Sequence, residues 1–199
     1  MTVFHLVRHG AHEQQGNVLV GRSDIRLSAI GLEQSRRLAD RLEREPLDAV
    51  LSSPRERTRR TAEAIAERHK LAVEIAIELE EVDFGNWVGQ TFAALRSEPE
   101  WDRYHRFRSI ATPPGGESFL ALRVRVRDLM LKLERDRPAG AFVLVSHGDV
   151  IRAAVLHCLG LGDDAVHRVD IAPGSLSTVV IDSGGPRIVC LNDRMGTPP

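Results

Sequence analysis

Short apolar runs alternate along this chain with longer stretches whose apolar residues recur every three to four positions, the pattern of strands interleaved with helices. The runs predict strands at 2–8, 48–52, 72–76, 140–146, 176–182 and 187–191. The periodic stretches predict helices at about 29–44, 55–69, 90–97, 99–109, 118–136 and 149–160. The clearest is 118–136, where Phe119, Leu122, Val126, Leu129, Met130 and Leu133 share one face. Ser118 follows the breaker Pro113-Pro114-Gly115-Gly116 and is placed to cap that helix. Ser28 stands likewise before a helix carrying Leu32, Leu38 and Leu42. Short apolar strands alternating with helices point to a mostly parallel sheet covered on both faces, so the expected fold class is a three-layer α/β/α sandwich.

Neither an internal repeat nor a low-complexity linker divides the chain, and one domain over 1–199 is expected. The segment 85–117 gathers Trp87, Phe92, Trp101, Tyr104 and Phe107, most of the aromatic residues, and reads as an insertion that walls a pocket. The tail from Asn192 to Pro199 is expected to fray.

At 199 residues the chain is long enough to bury a full core, and 42% hydrophobic with 28% charged residues is ordinary for a soluble domain. A net charge of −1 and a pI near 6.7 give no global electrostatic case for nucleic acid or an anionic membrane. Only Lys70 and Lys132 are lysine among 27 basic residues; the remainder are arginine, which suits bidentate phosphate binding. Cys158 and Cys190 lack CxxC or metal spacing and read as buried free thiols. Without a basic-then-apolar leader or an apolar run of spanning length, a reduced, cytoplasmic, soluble protein is expected.

Four segments carry chemistry. The first strand runs through His5-Leu6-Val7 into an Arg8-His9-Gly10 turn, and ligands of α/β proteins bind at the carboxyl ends of strands. The second, Ser52-Ser53-Pro54-Arg55-Glu56-Arg57-Thr58-Arg59-Arg60-Thr61, opens a helix, with proline near its first position. A helix N-terminus favours anions, and a first-turn arginine there can fork onto phosphate. Four arginines in six residues are equally the mark of a solvated basic face. The third places Glu80, Glu81 and Asp83 before Gly85 and Trp87, either as loop decoration or with one carboxyl serving as a proton donor. The fourth, Phe142-Val143-Leu144-Val145-Ser146-His147-Gly148, repeats the strand-then-histidine arrangement, and two histidines then reach one sheet edge.

Taken in order, LVRHG at 6–10, SSPRERTRRTAEAI at 52–65, EVDFGNWVG at 81–89 and VLVSHGDVIRAAV at 143–155 resemble the histidine phosphatase superfamily, the phosphoglycerate-mutase-like proteins, over nearly the whole chain. PPGGES at 113–118 is a softer fifth match. The resemblance implies that His9 is a nucleophile that becomes phosphohistidine. It implies that Arg8, Arg57 and His147 bind the phosphoryl oxygens. It gives Glu81 the proton for the leaving group, and later the base for water. Arg57 is the arginine at the matching place in SSxxxRxxxTA, and Glu81 stands four residues before Gly85. Gln15, Gly21 and Arg22 are implied at the substrate. Ala11 stands where members usually carry Glu or another polar residue, Gln15 where asparagine is usual, and 16–22 is one residue short.

The modest length between Glu81 and His147 favours a phosphatase over a mutase. The expected function is metal-independent hydrolysis of a small phosphomonoester, with no cofactor, no nucleic acid and no membrane partner. An α-ribazole phosphatase and a phosphoglycerate mutase are the enzyme alternatives; a phosphate-binding scaffold is the non-enzyme one. A metal site from His9, His12 and His147, and nucleic-acid binding through Arg55–Arg60, are weaker readings. Arg103, Arg106 and Arg108 read as an exposed helix face rather than a second anion site. Oligomeric state, a homodimer included, is not legible in the sequence.

Overall fold

A computed structural model describes residues 1–194. Strands β1 (Thr2–Arg8), β2 (Ala49–Ser52), β3 (Val73–Ile75), β4 (Ala141–Ser146), β5 (Leu176–Asp182) and β6 (Gly185–Asp193) form one sheet in the order β3-β2-β4-β1-β5-β6. The pairs β2/β3, β2/β4 and β1/β4 are parallel, whereas β1/β5 and β5/β6 are antiparallel. The apolar runs predict all six strands but not the antiparallel edge. The turn at Ser183-Gly184 folds β6 back along β5, and β6 continues through Asn192 and Asp193, so these two residues are in strand rather than a frayed tail. The rest of that tail, 195–199, lies outside the described residues.

The helices are α1 (Ala29–Leu42), α2 (Glu56–His69), α3 (Phe92–Leu95), α4 (Pro99–Arg106), α5 (Phe119–Asp136) and α6 (Gly148–Cys158). Alternation along the strands sorts them into two layers. Val7, Val50, Val143 and Val145 face a cluster with Leu38 and Leu42 of α1 and Ile65 of α2. Phe4, Leu6, Leu51, Phe142 and Leu144 face the other way, onto α5, α6 and the aromatic residues of 85–117. This is the three-layer α/β/α arrangement with a mostly parallel centre. Burying Val, Leu or Phe side chains on both faces contributes roughly 1.5–3 kcal/mol each.

Ser118 and Ser28 cap α5 and α1, accepting from the Ala121 and Gly31 amides. Leu32 is exposed, unlike Leu38 and Leu42. Pro54 lies one residue before the α2 cap, Arg55, not inside the first turn. Cys158 and Cys190 are free but partly exposed, because one ends α6 and the other lies on the edge strand. Among the described residues no helix is long and apolar enough to cross a membrane.

Candidate active site

β1 and β4 run side by side with Arg8 opposite Ser146, so the residues that follow, His9 and His147, leave the sheet at one edge. The His9 amide donates to Ser146 O at 3.0 Å, and on the far side of β4 the Ser53 amide donates to Val145 O at 3.0 Å. Three strand ends are thereby tied together, and α2 rises from the third with Arg57 in its first turn. A cavity of about 290 Å³ opens over this edge, lined by Arg8, His9, Arg57 and Glu81 among others.

The His9 ring has a defined orientation. Its Nδ1 donates to Gly10 O at 2.8 Å, which leaves Nε2 as the lone-pair nitrogen. Arg57 Nε donates to that Nε2 at 3.3 Å. The Arg57 guanidinium, 1% exposed, also donates from Nη1 to Ser23 O and from Nη2 to Gly21 O, both at 2.7 Å. Burial and the flanking Arg57 and Arg8 charges push the His9 pKa well below the ordinary histidine value, so the ring is neutral at neutral pH.

His147 stands behind this pair rather than at the cavity. Its Nδ1 accepts from Arg57 Nη2 at 3.1 Å, its Nε2 donates to Ser53 Oγ at 2.8 Å, and its ring meets His9 edge-on at 5.2 Å. Both ring nitrogens are therefore held by protein groups, one of them Arg57, the other side chain expected at the phosphoryl oxygens.

Glu81 completes the wall. Its Oε1 accepts from the Val82 amide at 3.0 Å, and its carbonyl accepts from Arg22 Nε at 2.9 Å and Arg125 Nη2 at 3.3 Å. Burial, with the Asp149 charge second, pushes its pKa up to about 7. Glu80 is paired with Arg55, and Asp83 with Arg22, so the neighbouring carboxylates are engaged elsewhere.

The remaining expected residues divide. Gln15 and Gly21 line the cavity, and Gly21 takes a φ of +47° that turns its carbonyl onto Arg57. Arg22 does not reach the cavity; Glu81 O, Asp83 and Glu117 hold its guanidinium. Ala11 has its backbone tied to the start of α1, through Gln34 Oε1 and the Ser28 amide. No group of three or more His, Cys, Asp or Glu among the described residues is arranged to hold a metal ion, so His9, His12 and His147 do not form the ligand set weighed from the sequence. The basic run is also broken up: Arg57 is buried, Arg55 meets Glu80 and Asp24, and Arg60 meets Glu63.

Several lining residues were not found by sequence reasoning. Arg108 is 4% exposed, its Nη1 donating to Tyr104 Oη at 2.6 Å and to Asp149 Oδ2 at 2.9 Å. It is not part of an exposed helix face, because α4 stops at Arg106 and the chain turns inward. Asp149 and Arg152 of α6 line the same wall, as do His105 and His167, whose rings stack at 5.4 Å. Within 85–117, Trp101 and Phe92 line the cavity, Tyr104 is buried beneath Arg108, and Phe107 is half exposed. His12, 8% exposed with its Nδ1 buried and unpartnered, is another lining residue. Its place three residues after His9 on the loop leaving β1 was the available signal.

The model of the histidine phosphatase superfamily (branch 1) matches residues 4–194. A bifunctional protein of Mycobacterium tuberculosis is 32% identical over 194 residues, covering 96% of this chain and 53% of that protein. This chain thus spans about half the length of that curated relative. The adenosylcobalamin/alpha-ribazole phosphatase of Escherichia coli is 28% identical, with 95% of each chain covered. Among solved structures, a mutant phosphoserine phosphatase of Entamoeba histolytica in complex with phosphoserine superposes with a TM-score of 0.89 at 25% identity, covering 98% of both chains. With the motif-bearing histidines at one sheet edge and the family match running from β1 to the end of the described chain, this protein belongs to the histidine phosphatase superfamily.

Proposed function

We propose that the protein hydrolyses a small phosphomonoester through a phosphohistidine on His9 Nε2. The observation that carries this is the orientation of His9: Nδ1 is tied down as a donor to Gly10 O, and a neutral Nε2 stands beside the buried Arg57 guanidinium. Arg57 and Arg8 stabilise charge on the phosphoryl oxygens in flight, and His147 acts as a positioning residue that fixes Arg57. Glu81, with its pKa near neutrality, holds a proton for the departing alkoxide in the first half-reaction. In the second half it accepts a proton from the attacking water, which releases phosphate and restores His9. The guanidiniums supply the positive charge this requires, so turnover is expected to continue in EDTA. Region 85–117 serves as the specificity wall over the leaving group.

The E. coli phosphatase and the phosphoserine phosphatase complex support a phosphatase over a mutase or a binding-only scaffold. The test is phosphate release from p-nitrophenyl phosphate in EDTA by the protein and by His9→Ala. Turnover by the former alone is expected. Equal turnover by folded His9→Ala, or none by either, overturns the reading.

A further inference from the structure

The carbonyl that holds His9 belongs to a peptide fixed at its other end as well. His9 Nδ1 donates to Gly10 O at 2.8 Å, and the amide of that same Gly10–Ala11 peptide donates to Gln34 Oε1, also at 2.8 Å. A peptide is planar, so anchoring its N–H sets the direction in which its carbonyl points. The donating N–H also polarises the peptide and makes its carbonyl the stronger acceptor. A continuous line of hydrogen bonds thus runs from α1 through one rigid peptide to the imidazole.

Gln34 is itself seated. Its side chain packs on Gly174, in the loop before β5, where a Cβ would stand 2.6 Å from Gln34 Cβ. The Gly174 amide donates to His9 O at 3.0 Å and to Arg8 O at 3.2 Å, so Gln34 rests on the segment that also holds the catalytic turn. The Ala11 carbonyl accepts from the Ser28 amide at 2.9 Å and from Ser28 Oγ at 3.1 Å, which ties Ala11 to α1 at both its backbone groups. On the preceding peptide, the Gly10 amide donates to Thr61 Oγ1 at 3.2 Å. Arg57 makes this hold matter during the reaction. Its Nε donates to His9 Nε2 at 3.3 Å, which occupies the lone pair that must attack phosphorus. That bond is given up as the attack begins, and the Gly10 carbonyl is then the partner that keeps the ring in place and its proton on Nδ1.

We infer that Gln34 is a positioning residue for His9: by fixing the Gly10–Ala11 peptide, it aims the carbonyl that keeps the proton on Nδ1 and the Nε2 lone pair toward phosphorus. This rests on the phosphatase reading above and extends the nucleophile's support to a side chain of α1 that does not line the catalytic cavity.

The test replaces Gln34 by Met, of similar length but with only a weak acceptor, and by Glu, which keeps an oxygen for the Ala11 amide. On p-nitrophenyl phosphate, Gln34→Met should lower kcat about three- to tenfold with KM unchanged, the effect of one lost hydrogen bond, and Gln34→Glu should retain most of the parent rate. The second readout is proton and nitrogen NMR of the His9 imidazole with inorganic phosphate bound. The parent and Gln34→Glu should show a hydrogen-bonded proton on Nδ1 and an unprotonated Nε2. In Gln34→Met that proton signal should weaken, and the two ring nitrogens should move toward the averaged shifts of exchanging tautomers. These signals come from folded molecules, so a partly folded preparation does not imitate the result. Imidazole signals in Gln34→Met that match the parent overturn the inference, as does a loss of kcat that Gln34→Glu shares in full. A parent silent on p-nitrophenyl phosphate brings down the phosphatase reading instead, and the ring signals then decide by themselves whether Gln34 holds His9.

Discussion

Arg57 Nε lies 3.3 Å from His9 Nε2, so the guanidinium that would grip the phosphoryl oxygens already touches the atom that would attack phosphorus. Lysine keeps the charge but cannot reach His9, His147, Gly21 O and Ser23 O together. Arg57→Lys should lower kcat/KM about 10²–10³-fold, the usual cost of a lost transition-state donor. Steady-state kinetics on folded variant decide it; a change under threefold would show that charge alone suffices.

The pH profile follows from Glu81. The first half-reaction needs its protonated form, so activity is present below about pH 7 and lost as pH rises through that value. Asp149 is a charge that raises the Glu81 pKa, while Arg57 and Arg8 oppose it. Asp149→Asn should therefore move the alkaline limb of kcat/KM to lower pH. A limb that stays in place or moves up contradicts the assignment.

Stability gives a second reading of the same group. The folded pKa of Glu81 is raised above its unfolded value, so its contribution is fully present below about pH 4.5 and is lost as pH rises through about 7. Glu81→Gln retains an acceptor for the Val82 amide without the ionisation. Relative to the parent, its Tm should rise more at pH 8 than at pH 4.5; thermal melts at the two pH values test the sign.

Arg22 is expected to act on the reaction only through Glu81. Its Nε fixes the Glu81 carbonyl, and its nitrogens bridge to Asp83 and Glu117. Arg22→Ala should slow alkyl phosphates, which need a proton on the departing oxygen, more than p-nitrophenyl phosphate, which does not. Equal losses on both would indicate a purely structural role.

Gly10 and Gly31 let the catalytic turn meet the start of α1 backbone to backbone. A Cβ on Gly31 would stand 2.0 Å from Ala11 O, and one on Gly10 would stand 2.3 Å from Gly31 O. Neither backbone can yield without displacing His9. Gly31→Ala should cost roughly 3 kcal/mol, within the range for overpacking. That corresponds to a Tm lower by about 6–12 °C for a chain of this length, measured by thermal denaturation.

Legibility followed the range of the forces involved. Strand-to-turn junctions at Arg8-His9 and Ser146-His147 are local, since an apolar run meeting a polar turn needs no distant partner to be read. The two faces of the sheet were likewise written in the alternation of Phe4, Leu6 and Val7. Arg108 was misread because its burial depends on Tyr104 four residues back and Asp149 forty-one residues on, and only the second is a charge match that a linear reading cannot see. Arg22 and His147 were legible as site residues, but the protein groups that hold them were not. Their partners, Glu117 for one and Ser53 for the other, come from separate segments. The antiparallel β5/β6 edge was missed because apolar content marks a strand but not its direction.

The central claim is tested most directly by acid-free rapid quench of the protein with p-nitrophenyl phosphate, followed by mass spectrometry and phosphorus NMR of the trapped protein. One phosphoryl group on His9, bonded through Nε2 and absent from His9→Ala, is the result expected from the Nδ1–Gly10 hydrogen bond. Continued turnover with no phosphohistidine formed, or with the phosphoryl group on Nδ1 or on another residue, would contradict it.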